Sequence, residues 1–302
     1  MSWPLRFSAN LKWLFGERRI EERPAAAAEA GFRAIEHPQP YDLPAARWGQ
    51  VLSDAGVAQV LLNTPTGPSR SDTEFGAACV PGARSEFRAG FDRALQYAVA
   101  VGCPLINVMA GVQPPTVIQS QAADTYLENL TWAAAECGGT DVTLVIEAVN
   151  PYDRPGAFIQ RQEHAADIIG LIGSDRVRLL LDLYHCQIVQ GNLARTFQLL
   201  TPLIGHVQVA DVPTRAEPGT GEINYSYLLD LVRSSDYTGW IGCEYAPSSS
   251  TEASLSWLPP DHQLTQTPRW ISSTPGTRRL PFEKYGFWVS PGMDRRSAAY
   301  CL

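Results

Sequence analysis

No run in the 302-residue chain approaches the ~18 consecutive apolar residues of a membrane span. Basic charge is also short. Only 24 Lys and Arg stand against 31 Asp and Glu, a formal net charge of −7, the reverse of what a nucleic-acid binder carries. The six cysteines, Cys79, Cys103, Cys137, Cys186, Cys243 and Cys301, include no Cys-x-x-Cys pair. That spacing excludes a zinc module or a disulfide framework and makes each a small core residue in a reducing, cytoplasmic setting. Residues 1–6 lack the basic-then-apolar layout of a secretion signal, in keeping with that expectation. No Gly-x-Gly-x-x-Gly follows the first apolar run, so a dinucleotide-binding sheet and a nucleotide cofactor are not expected.

What remains, 45% hydrophobic and 18% charged residues, is the composition of a folded globular chain. Eight short apolar runs end in a polar residue: 5–10, 34–36, 58–63, 105–107, 142–147, 177–182, 206–208 and 240–244. Their spacing suits successive βα units, and near-continuous Val, Ile and Leu suits strands buried on both faces. Helical stripes fill several gaps. Phe87, Phe91, Leu95, Ala98 and Val101 recur at three- and four-residue steps before Gly102, and residues 25–30, 122–137, 164–172 and 225–233 behave similarly. The alternation predicts a single α/β domain, a (β/α)8 TIM barrel over residues 1–258, with an open doubly wound sheet as runner-up.

After Leu258 the pattern breaks. Residues 259–302 hold six prolines and six basic residues against three acidic ones, with no helical or strand period. They are expected to form an irregular tail, with Pro259-Pro260 ending a final helix begun at Thr251 after about two turns.

In a parallel barrel the active site lies at the C-terminal strand ends. Glu147, Asp182, Gln208 and Glu244 end the last four runs. A capped strand-end group is the plainer reading of any one of them; four in succession read as a site. Three converging carboxylates repel one another unless a cation sits among them, and oxygen ligands select a hard ion such as Mg²⁺ or Mn²⁺. His206 shares an inward face with Gln208 by period two, which fits either a packed core histidine or a support for the site. His37 and His164 read as loop and helix-surface residues, and His262 belongs to the tail.

Arg6-Phe7-Ser8-Ala9-Asn10, Glu147-Ala148-Val149-Asn150, Asp182-Leu183-Tyr184-His185, His206-Val207-Gln208-Val209-Ala210-Asp211, Glu217-Pro218-Gly219-Thr220-Gly221-Glu222-Ile223-Asn224-Tyr225 and Gly242-Cys243-Glu244-Tyr245 closely resemble the hydroxypyruvate isomerases. These are a branch of the sugar isomerase/epimerase TIM barrels, related to ketose 3-epimerases and endonuclease IV. The resemblance implies a metal tetrad of Glu147, Asp182, Gln208 and Glu244, with Glu147 and Glu244 as the proton-transfer pair. It places His185, Arg215 and Asp153 at substrate-contacting positions. Gln208 stands where ketose 3-epimerases have histidine, and matches the hydroxypyruvate isomerase branch. Residues 36–41 depart from the more aromatic version of the relatives.

The implied reaction is aldose–ketose isomerisation of hydroxypyruvate through an enediolate. An anionic substrate would need a fixed cation such as Arg215. Alternatives are another small keto acid or ketose, such as a 2-oxo-tetronate, or a catalytically impaired binding protein. A multi-zinc endonuclease is disfavoured by five histidines and the −7 charge. The expected partner is a small anionic molecule, not nucleic acid or membrane; self-association stays open.

Overall fold

The computed structural model describes residues 4–259. Strands β1 (Arg6–Asn10), β2 (Ala34–Glu36), β3 (Ala58–Asn63), β4 (Leu105–Asn107), β5 (Thr143–Glu147), β6 (Val177–Asp182), β7 (Ile204–Val209) and β8 (Trp240–Cys243) pair in sequence order. All pairs are parallel, and β8 pairs back onto β1, closing the barrel. Around it lie α1 (Arg23–Glu29), α2 (Ala45–Ala55), α3 (Arg84–Val101), α4 (Gln119–Glu136), α5 (Gln162–Ile172), α6 (Leu183–Val189), α7 (Leu193–Leu200) and α8 (Tyr225–Arg233). The fold is therefore the expected (β/α)8 TIM barrel.

Local chemistry explains the element ends. Gly56, Gly102 and Gly173 close α2, α3 and α5 in the left-handed conformation, which glycine adopts without a Cβ penalty. One apolar cluster fills the space between strands and helices. A separate one, Leu61, Val145 and Leu180 with Leu105 against it, lines the interior. By period two, Val145 and Leu180 sit on the faces of Glu147 and Asp182. Apolar side chains thus lie beneath those two carboxylates.

The sequence reading missed α2, α6 and α7. In α2 the buried Trp48, Val51 and Leu52 are a short stripe crowded by Pro40 and Pro44. Helix α6 starts directly from β6: Asp182 ends the strand and caps the helix, accepting from the amides of Tyr184 at 2.8 Å and His185 at 3.4 Å.

The expected two-turn helix from Thr251 is not formed; only a 3-10 turn, Ala253–Leu255, follows β8. Side chains compete with the helical ladder there. The Ser254 hydroxyl donates to the Thr251 carbonyl at 2.7 Å, and the Ser254 carbonyl accepts from the Tyr245 hydroxyl at 3.2 Å. The Thr251 hydroxyl oxygen accepts from the Phe15 amide at 2.8 Å.

Apart from Pro259, the expected tail at 259–302, with His262 and Cys301, lies outside the described residues. The other five cysteines are free thiols and buried. His164 is half-buried against Phe158 rather than on the surface. Among the described residues no helix is long and apolar enough to cross a membrane.

Candidate active site

Glu147 ends β5, Asp182 ends β6 and Glu244 follows β8. Asp182 is 1% exposed. Burial raises the carboxyl of Glu147 to about 8, with repulsion from Glu244 and Asp182 adding to it. Burial also raises Asp182 and Glu244, against the pull of Arg215.

Arg215 is the counter-charge. Its guanidinium lies 2.8 Å from Glu244, 3.2 Å from Asp153 and 3.6 Å from Asp182. Burial works against its charge, but the surrounding carboxylates outweigh it and hold the group protonated.

The loop that delivers Arg215 is organised by Asp211, whose carboxylate accepts from the amides of Val212 (2.9 Å), Gly219 (2.8 Å), Gly221 (3.0 Å) and Ile223 (3.0 Å). A Cβ on Gly221 would collide with the Val212 carbonyl and the Asp211 carboxylate. Gly221 of this motif is thus a close-approach requirement, whereas Gly219 is required by its φ of +92°. Arg215 itself has φ +56°, a conformation that disfavours a side chain. The 2.8 Å bond from the Ala246 amide to its carbonyl helps hold it there.

His185 stands between Glu147 and Asp182, its Nε2 at 3.6 and 3.5 Å from them. Its tautomer follows from the network. Asn150 Oδ1 accepts from the amides of Tyr152 and Asp153 at 3.0 and 2.9 Å. Asn150 Nδ2 is therefore the atom 2.7 Å from His185 Nδ1, which must accept, leaving the proton on Nε2. Burial, then Arg215, lowers the imidazole to about 3, so it stays neutral.

Gln208 lies in register with Asp182 on β6 and Gly242 on β8. Its amide Nε2 does not face the acids; it donates to Glu36 Oε2 at 2.8 Å. Glu36, 0% exposed, is the centre of a network the sequence reading missed. It also accepts from Ser8 Oγ (2.7 Å) and Asn10 Nδ2 (3.0 Å), and meets His206 Nε2 at 2.8 Å. Burial alone would raise its carboxyl; the His206 imidazole and the Ser8 and Gln208 bonds outweigh that and hold it below its ordinary range. Gly242 makes room, since a Cβ there would strike Glu36 Oε1. Asn10 Nδ2 links this network to Glu244 Oε1 at 3.3 Å, and Asn107 donates to Glu147 Oε2 at 3.0 Å. Their signal in the sequence was the same as that of the acids: a polar residue ending an apolar run.

Glu147 and Asp182 offer ligand oxygens that lie within 4.8 Å of each other and of the His185 ring, whose Nε2 proton keeps it a donor beside them. Asp182 Oδ2 is buried and has no hydrogen-bond partner, an expensive arrangement unless something else satisfies it. The residues present therefore fit a metal ion.

A closed parallel barrel with buried acids at its C-terminal mouth defines a class, and comparison with known proteins gives the family. The chain belongs to the xylose isomerase-like TIM barrel family, whose profile matches residues 24–272. It is 42% identical over 255 residues to a 2-oxo-tetronate isomerase of Cupriavidus necator, covering 84% of this chain and 98% of that protein. With the hydroxypyruvate isomerase of Escherichia coli it shares 41% over 256 residues, covering 85% and 99%. A solved structure, named as an AP endonuclease of family 2 from Brucella melitensis, superposes with a TM-score of 0.81 at 37% identity, covering 84% of this chain and 98% of that one.

Proposed function

We propose that this protein isomerises small hydroxy-keto acids at the barrel mouth, interconverting hydroxypyruvate and 2-hydroxy-3-oxopropanoate. The observation that carries the reading is the convergence of buried Asp182 and the largely buried Glu147 and Glu244 on one guanidinium and one neutral imidazole. The two relatives, named for hydroxypyruvate and 2-oxo-tetronate, support the substrate class. Those relatives are covered almost end to end, which supports residues 1–258 as the catalytic unit. The four acids at the mouth suit a small substrate held near a cation better than a phosphate backbone, which favours this reading over a nuclease.

The reaction moves hydrogen and breaks no carbon–carbon bond. Glu147 and Glu244 are the proton-transfer pair: one takes a proton from C3 and the other returns one at C2. The hydrogen of the C3 hydroxyl passes to the former keto oxygen, so substrate and product are isomers. Positioned acid–base groups supply about 10²–10⁴-fold. The proton on His185 Nε2 suits donation to a substrate oxygen, and Asp153 suits a substrate hydroxyl. Glu147, Asp182 and Glu244, with the Gln208 carbonyl, are the oxygen donors for a divalent cation, and such a set favours Mg²⁺ or Mn²⁺. When bound, that ion supplies electrostatic stabilisation of charge developing on oxygen.

The pH dependence of metal affinity has a definite sign. Glu147 must lose its proton to act as a ligand, and its carboxyl sits at about 8 without metal. Affinity therefore rises with pH above about 6, as the ligand carboxyls lose their protons. The same raised value means that Glu147 costs the metal-free fold stability as pH climbs from its ordinary value of 4.5 toward 8. Titration calorimetry at pH 6, 7 and 8 reads the affinity; a flat profile contradicts the placement of Glu147 at the ion. The substrate is tested by kcat/KM across hydroxypyruvate, 2-oxo-tetronates and neutral ketoses. A clear preference for the neutral ketoses would contradict the keto-acid reading.

A further inference from the structure

Arg215 is occupied by the protein's own carboxylates. It holds Glu244, Asp153 and Asp182, and with Glu147 four acids share the mouth. Arg215 and a divalent cation together fall one positive charge short of those four. An incoming carboxylate would meet a site with no cation to spare.

A second guanidinium stands on the same mouth. Arg154 lies in the loop between β5 and α5, and the charges acting on it include Glu147, Arg215 and Asp153. Its guanidinium carbon sits 3.8 Å from the centre of the Phe75 ring, which comes from the loop after β3. Among the described residues the guanidinium makes no ion pair, and its Nε is buried without a hydrogen-bond partner. The nearby acids are engaged elsewhere. Asp153 is held by Arg215 at 3.2 Å, and Glu74 accepts from the Arg70 amide at 2.9 Å and the Ser69 hydroxyl at 3.3 Å.

The loops that bring Phe75 and Arg154 together are stitched to one another. The Cys79 amide donates to the Ala110 carbonyl at 2.9 Å, the Phe158 amide to Gly111 at 3.1 Å, and the Gln113 amide to Gly156 at 3.1 Å. Gly76 (φ +120°) and Gly111 (φ +95°) pass so closely that a Cβ on Gly111 would strike the Gly76 carbonyl. Backbone from three successive loops thus forms one wall, and the aromatic face pre-orients the cation on it.

The geometry points to Arg154 as the residue that binds the substrate's carboxylate, with Phe75 as its platform. This rests on the keto-acid reading of the site. A planar guanidinium with free N–H donors matches a carboxylate with two parallel bonds. Lys12 is the competing cation, with its ammonium 5.1 Å above the Trp13 ring and near Glu244.

The test compares Arg154→Met, Arg154→Lys and Lys12→Met with the unaltered protein. Kinetics are read with hydroxypyruvate and with dihydroxyacetone, as substrate or competitor, in which a hydroxymethyl group replaces the carboxylate. Arg154→Met should raise KM for hydroxypyruvate by about tenfold to a hundredfold, the loss of a charged hydrogen-bonded pair. Arg154→Lys should recover part of this, and dihydroxyacetone should bind as before. Calorimetric titration with glycolate, which needs no turnover, should show the same loss in folded Arg154→Met. If the unaltered protein does not convert hydroxypyruvate, the proposed reaction fails, while the glycolate titration still decides the role of Arg154. Unchanged glycolate affinity in Arg154→Met, equal losses for acid and neutral compound, or a loss confined to Lys12→Met would each overturn the assignment.

Discussion

Glu147→Gln and Glu244→Gln each lower kcat by at least about a hundredfold, because each removes one of the two groups that carry the proton. The two variants differ in stability. Glu147 is a desolvated carboxylate repelled by Glu244 and Asp182, so its neutral isostere leaves the metal-free melting temperature unchanged or higher. Glu244 is paired with Arg215 at 2.8 Å, and its replacement gains nothing of this kind. Circular dichroism establishes that both are folded, and initial rates under saturating metal separate lost chemistry from lost ion binding. Near-wild-type turnover in either folded variant contradicts the assignment of the pair.

Replacing Glu36 by leucine has the largest expected effect on stability. The carboxylate is the common acceptor for Ser8, Asn10, His206 and Gln208. Its loss leaves buried donors and an imidazole facing an apolar group, at a cost of about 3–5 kcal/mol. For a chain of this size that lowers the melting temperature by on the order of 10 °C. Glu36→Gln keeps one acceptor and should lose less. The sign with pH also follows: because the carboxyl is held below its ordinary value of 4.5, its stabilising contribution is present at neutral pH and is lost as pH falls through the depressed value. Thermal scans of Glu36→Leu within about 2 °C of the unaltered protein would contradict the account of this network.

The barrel was legible because period and punctuation agree in most units. Strands at 34–36, 58–63, 105–107 and 177–182 fall where apolar runs meet a polar residue. Failures came where one residue serves two elements or side chains compete with backbone. Asp182 both ends β6 and caps α6, which hid that helix. Ser254 and Tyr245 take the carbonyls a final helix would have used. In the site, strand-end position picked out Glu147, Asp182 and Glu244. It gave no sign that the Gln208 amide turns to Glu36, because that contact joins β2 to β7 across the interior and depends on the missing side chain of Gly242. Arg154 was passed over for the same kind of reason. Its neighbour Phe75 is brought to it only by the packing of three loops, and no spacing in one loop reports that.

The most direct measurement follows hydroxypyruvate by NMR with purified full-length protein, before and after EDTA, and then with Mg²⁺ or Mn²⁺ restored. Conversion to 2-hydroxy-3-oxopropanoate that EDTA abolishes and the cation restores is the predicted result. A folded protein that leaves hydroxypyruvate and 2-oxo-tetronates unchanged with either cation present would contradict it.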